Sequence, residues 1–222
     1  MGVVIRPATA YDVDAVVDVG RRTWPQTYAP IAGEDYVRMG LAKWWTVAAT
    51  RPLVVAGKAT VAELDGEVVG VAVVGPLKGD LVLFRLYVVP EHQGTGIGRM
   101  LLEDVLQVAR ERGHRIIRLS YLDGNVNAER FYRAFGFTES HREPTGDGIP
   151  DSIWAVRAVE IAGKLRPHHL RQHRHVAVAR MPKPHDHLGA GLAERFDLSR
   201  RHREMHELHR RRLALRRGAV LV

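Results

Sequence analysis

The chain contains no cysteine, which excludes disulfides, thiolate nucleophiles and every metal site built on sulfur. It has no run of 18 or more apolar residues, so no membrane-spanning helix is expected. The opening "MGVVIRPATAYDVDAVV" lacks a basic stretch followed by an unbroken apolar one, so no secretory signal is expected, and Arg6 stands where a myristoylation motif requires Ser or Thr. These absences point to a cytoplasmic protein without a membrane anchor. Aromatic residues are few, at 7%. An excess of one charge is also missing from most of the chain: residues 1–160 carry 18 Lys and Arg against 20 Asp and Glu.

The whole chain nevertheless has a net charge of +8. The positive excess lies in residues 161–222, which carry +10 and nine of the twelve histidines. Such a break predicts a domain over 1–160 and a basic His/Arg-rich tail over 161–222. The tail reads as partly disordered, with helix-compatible text at 192–217. His185 and His187, and the set His202, His206 and His209, have ligand-like spacing, but in an arginine-rich solvated segment they carry no metal assignment. A solvated appendage is the first reading of the tail and nucleic-acid contact the second. Out-of-frame GC-rich coding would also give text of this kind.

Within the domain, "VVIRPA" opens as a strand, and Val13, Val16 and Val17 set a helix from Asp12 to Arg22. A second helix is predicted from Glu34 to Val47. Asp65-Gly66 joins two alternating runs as a hairpin. "LVLFRLYVV" reads as a strand buried on both faces. A helix from Ile97 to Arg112 ends at Gly113. "RIIRLSYL" is a strand, "NAERFYRAF" a short helix, and "DSIWAVRAV" the last strand. The order β α α β β β α β α β β predicts an α/β fold, a mixed sheet with helices on both faces.

The segment "PEHQGTGIGRM" places Gly94, Gly96 and Gly98 between a strand and a helix. The spacing is not that of a dinucleotide fingerprint, and no Walker lysine follows. A strained turn and an anion cradle at a helix N-terminus both remain. The tie is broken by "LYVVPEHQGTGIGRMLL" read together with "NVNAERFYRAFGF". Gln93, Gly96 and Gly98 match one motif, and Asn125, Ala128, Phe131, Tyr132, Gly136 and Phe137 match a second. In this order the two resemble the signature motifs of the GCN5-related N-acetyltransferase (GNAT) superfamily, and the resemblance covers residues 3–158.

The resemblance implies the GNAT acyl-CoA N-acyltransferase fold and an acetyl-CoA-dependent N-acetyltransferase acting on a primary amine of a small molecule or peptide. Acetyl-CoA would be the acyl-donor substrate. Its pyrophosphate would sit on backbone N–H groups of Gln93, Gly94, Gly96, Ile97 and Gly98, with Thr95 and Arg99 completing that end of the site. The pantetheine arm would run beside Leu86, Tyr87 and Val88, and Val88 N–H would face the oxyanion. Tyr132 would be the general acid for the leaving thiolate; the plainer reading packs its ring beside Phe131 and Phe135. Asn125 would cap its helix, hydrogen-bond the coenzyme arm, or both. The base is left among Glu91, Asp123, Ser120, Glu34, Asp147, Asp151 and ordered water. Trp24, Tyr28, Trp44 and Trp45 read first as packing aromatics of the roof helices and second as substrate contacts. The rival reading is a catalytically weak acyl-CoA-binding module tethered to nucleic acid by its tail. A homodimer through an edge strand fits either.

Overall fold

The computed structural model describes residues 2–160 apart from Lys78 and Asp147. The tail, its histidines and the candidate base Asp147 lie outside the described residues. Seven strands form one sheet in the order β1-β2-β3-β4-β5-β7-β6. They are β1 (Val4–Pro7), β2 (Ala59–Leu64), β3 (Glu67–Leu77), β4 (Asp80–Val88), β5 (Ile116–Leu122), β6 (Thr138–Glu143) and β7 (Ser152–Ala158). Among the described residues only β4 and β5 pair in parallel, as a strand-helix-strand crossover requires. The Asp65-Gly66 hairpin is as read, with Leu64 opposite Glu67 and positive φ of 52° and 87° at the two turn residues.

The helices are α1 (Val13–Trp44), α2 (Val47–Val55), α3 (Ile97–Glu111) and α4 (Val126–Ala134). On β3, Gly70 faces Leu101 of α3, whereas Val73 faces the aromatic residues of α1. An odd spacing along a strand separates two faces, so α1 and α3 cover opposite sides of the sheet.

Two helix predictions are corrected. The first helix does not stop at Arg22: it continues through Pro25 and Pro30 and breaks only at Gly33, whose φ of 81° is left-handed. Pro25 and Pro30 remove backbone donors, which ordinarily ends a helix. Burial of Trp24 and Tyr28, with ring centroids 4.5 Å apart, holds the turn together. The "TRP" text at 50–52 is likewise inside a helix. Thr46 Oγ1 accepts from Ala49 N–H at 3.1 Å and starts α2, which includes Pro52.

β4 is not buried along its whole length. Leu81, Val82 and Leu83 are buried, and the residues from Phe84 to Val88 are only half-buried. Val73 pairs with Arg85 but Val74 with Leu83, so Phe84 is an extra residue on β4, a β-bulge. Pairing of β4 with β5 covers only Leu81 to Leu83, opposite Ile117 to Leu119. The two strands therefore part at the bulge.

The N-terminal strand is tied to α1 by charge. Arg6 donates to both Asp12 oxygens at 2.8 and 2.9 Å, and Thr9 N–H and Oγ1 donate to the same carboxylate. The Arg6 guanidinium, before any other cause, holds the Asp12 carboxyl well below the usual carboxylate range. Its pKa is lower folded than unfolded, so its stabilisation is complete at neutral pH and is lost as pH falls from about 4 towards the depressed value. Asp12→Asn should cost about 2 kcal/mol at pH 7, and the gap between urea midpoints of the two proteins should narrow steadily as pH falls below about 4. A gap constant with pH would assign the loss to packing.

Candidate active site

The parting of β4 from β5 creates the centre of the site. Val89 N–H donates to Val69 O at 2.9 Å, towards β3. By the alternation of antiparallel pairing, the N–H groups of Leu86 and Val88 face the opposite edge, where β5 has separated. The ring of Tyr87 enters the space under α1, and its hydroxyl meets that of Tyr28 at 3.0 Å. The Val88 carbonyl accepts the Gln93 side-chain amide at 3.0 Å.

The glycine loop follows directly. Gly94 and Gly96 have φ of 78° and 92°, so left-handed backbone is what these two positions demand. Gly98 demands no such conformation, and a Cβ there would sit in ordinary contact, 3.7 Å from Phe131. Gly96 is the N-cap of α3, and Met100 N–H is the first to close onto it, at 3.1 Å. The N–H groups of Ile97, Gly98 and Arg99 thus have no partner inside the helix, and they gather with the helix dipole at one spot. Gln93 N–H is engaged by Pro90 O at 3.2 Å, because Pro90 to His92 form a short 3-10 turn. Thr95 Oγ1 donates to His92 O at 2.7 Å and fixes the loop. Arg99 lies over Phe135 and pairs loosely with Glu103, leaving its side chain largely exposed.

Asn125 caps α4, its Oδ1 accepting from Ala128 N–H at 3.1 Å. The Tyr132 ring is stacked on Tyr121 at 6.1 Å and packs edge-on against Phe131 and Phe137. Its ring is partly exposed while its hydroxyl end is buried. Burial, and after it the Tyr87 hydroxyl, raises its pKa above that of an ordinary tyrosine. The group is a neutral phenol throughout the physiological range.

Beside this point a pocket opens under α1, bounded by α1, α2, β3, β4, β5 and β7, with Tyr87, Tyr121 and Ser152 among its walls. Trp24, Tyr28, Trp44 and Trp45 all line it, so these aromatics both pack and face the cavity. Arg85 enters it too, donating to Trp44 O at 2.6 Å and lying over the Trp45 ring at 4.4 Å. Tyr132 is not among the lining residues, but its ring is stacked on Tyr121, which is. Of the described candidate bases only Ser120 reaches the lining. Glu91 is bound by Arg22 at 2.9 Å, Asp123 by Arg142 at 2.8 Å, and Glu34 is exposed. The pocket itself had no clear signal in the sequence, because Tyr36, Phe84 and Tyr121 reach it from separate elements.

Comparison with known proteins agrees with this architecture. The chain matches the Acetyltransferase (GNAT) family over residues 18–137. It is 36% identical over 90 residues to N-acetyltransferase family 8 member 2 of Rattus norvegicus, covering 38% of this chain and 40% of that one. It is 24% identical over 143 residues to spermidine N(1)-acetyltransferase of Thermoplasma acidophilum, covering 62% and 89%. The [ribosomal protein bS18]-alanine N-acetyltransferase of Escherichia coli K12 is 30% identical over 93 residues, covering 40% and 63%. The chain thus spans less than half the length of the rat relatives it matches. Among solved structures, the PaiA N-acetyltransferase of T. acidophilum in complex with coenzyme A superposes with a TM-score of 0.62 at 23% identity, covering 69% of this chain and 98% of that one. That likeness is one of fold. Since the family match runs from α1 through both motifs to Phe137, more than half of the sequence, the chain belongs to the acetyltransferase (GNAT) family.

Proposed function

We propose that this protein is an acetyl-CoA-dependent N-acetyltransferase that moves the acetyl group directly to a primary amine. The observation that carries the reading is the convergence, at the parting of β4 and β5, of a helix N-terminus, an unpaired strand edge and a tyrosine hydroxyl. The residues fit the coenzyme: Gly94, Gly96, Ile97 and Gly98 would hold its pyrophosphate on backbone N–H groups, and the Leu86 and Val88 edge would hold its arm. Bound there, acetyl-CoA supplies an activated acyl group as a thioester.

The amine nitrogen attacks the thioester carbonyl carbon. A C–N bond forms, the C–S bond breaks, and the amine loses one proton while the thiolate gains one. The Val88 N–H would stabilise the developing oxyanion, and Tyr132, a neutral phenol, would protonate the departing sulfur. Among the described residues no carboxylate lines the pocket, so the amine proton leaves through water or through the hydroxyls of Tyr28, Tyr87 and Ser120. The absence of cysteine suits a cytoplasmic setting.

Titration of the full-length chain with acetyl-CoA tests the cradle. Gly96→Glu forces a side chain into left-handed backbone, at about 1–2 kcal/mol, and sets a carboxylate against phosphate. Kd should rise by roughly 50-fold or more. An unchanged Kd would reduce the glycines to a turn.

A further inference from the structure

The names of the relatives span a polyamine and a ribosomal-protein alanine as acceptors, and the family alone does not choose. The pocket lining does. Of the eight aromatic residues that line it, six have rings that lie together, those of Trp24, Tyr28, Tyr36, Trp44, Trp45 and Tyr87. They form one connected set: Trp24 lies 4.5 Å from Tyr28, 5.8 Å from Tyr36, 5.3 Å from Trp44 and 6.5 Å from Trp45, and Trp45 lies 5.2 Å from Tyr87. Aromatic walls of this extent reward a flat apolar body by area and by ring-edge packing.

Aromatic faces also attract cations, so a polyamine has to be considered against them. A polyamine brings a second ammonium, which stays charged while the first is acetylated. Burying it needs an opposite charge or a full set of acceptors. The described lining offers no carboxylate, and its one charged side chain, Arg85, has the same sign as the amine and already covers the Trp45 face.

Resting on the acetyltransferase reading above, we propose that the acceptor is a monoamine carrying a flat apolar body, and that this pocket discriminates against polyamines. The amine end would point towards the Tyr28–Tyr87 hydroxyl pair, next to the Val88 N–H edge, and the body would lie among the tryptophans beneath α1.

Free-thiol release by the full-length chain with acetyl-CoA should be compared for 2-phenylethylamine, n-butylamine and spermidine. The expected kcat/KM for 2-phenylethylamine exceeds both others by about tenfold to a hundredfold. Spermidine equal to or better than 2-phenylethylamine overturns the proposal. Tryptophan fluorescence of the CoA-saturated protein separates the two layers of the argument. If 2-phenylethylamine binds ahead of spermidine but no thiol is released, the pocket assignment stands and the catalytic reading fails. If thiol is released with spermidine alone, catalysis stands and the pocket assignment fails. If neither amine binds nor reacts, the pocket assignment also fails.

Discussion

Gly20→Ala should destabilise the protein by roughly 3 kcal/mol or more, although alanine is the better helix former by about 1 kcal/mol. The reason is contact. A Cβ at position 20 would lie 1.9 Å from Trp45 Cδ2 and 2.0 Å from Cε3. Trp45 cannot swing away: it is 1% exposed, Arg85 lies over its ring at 4.4 Å, and Tyr87 packs edge-on against it at 5.2 Å. The same relation recurs farther along α1, where a Cβ on Gly40 would come within 1.9 Å of Trp24 Cζ3. Two glycines of the roof helix thus let two indoles lie against its backbone, and both indoles line the pocket. Urea unfolding followed by circular dichroism reads the effect directly. A midpoint at or above wild type would show that the tryptophans adjust and that helix propensity decides.

Tyr132→Phe should lower kcat about 10²-fold while leaving the Kd for acetyl-CoA near wild type. The substitution keeps the ring and its contacts with Tyr121, Phe131 and Phe137, so a stability change should be small. The phenol's pKa is raised by burial. The wild-type rate should therefore show no loss from ionisation of this group up to pH ~10, since the acid form persists above the ordinary tyrosine range. Thiol release measured from pH 6 to 10 checks both points. Equal rates for the two proteins at every pH would return Tyr132 to a packing role.

The parts of this protein that the sequence shows are those where chemistry leaves a local mark. Asp65-Gly66 marks its hairpin because two positive φ angles in succession select that pair. Gly94 and Gly96 mark the loop for the same conformational reason, and Asn125 marks its cap because the side chain bonds its own helix. The parts that stay hidden depend on tertiary contact. Nothing local announces that Pro25 and Pro30 lie within a helix, since burial of Trp24 and Tyr28 overrides the lost backbone bonds. Gln93 fitted its motif, yet its N–H is already spent on Pro90, which only the geometry of the turn reveals. The bulge at Phe84 is equally silent: from Leu81 to Val88 β4 is apolar but for Arg85, and the mismatch exists only relative to β3.

That bulge also bears on how the protein avoids sticking to its neighbours. Unpaired strand edges recruit other chains when they lie at the rim of a sheet, and proteins guard such rims with charge, proline or brevity. Here the true rims are β1, only 4 residues long, and β6, which carries Glu139, Arg142 and Glu143 and is largely exposed. The edge opened at Phe84 is instead interior, with β3 on one side of β4 and β5 continuing into β7 on the other. It offers main-chain donors in a slot whose walls belong to the same sheet. A second folded copy cannot bring a strand to it, but a slender flexible molecule can, so the protein keeps a reactive backbone edge in solution without exposing it to association.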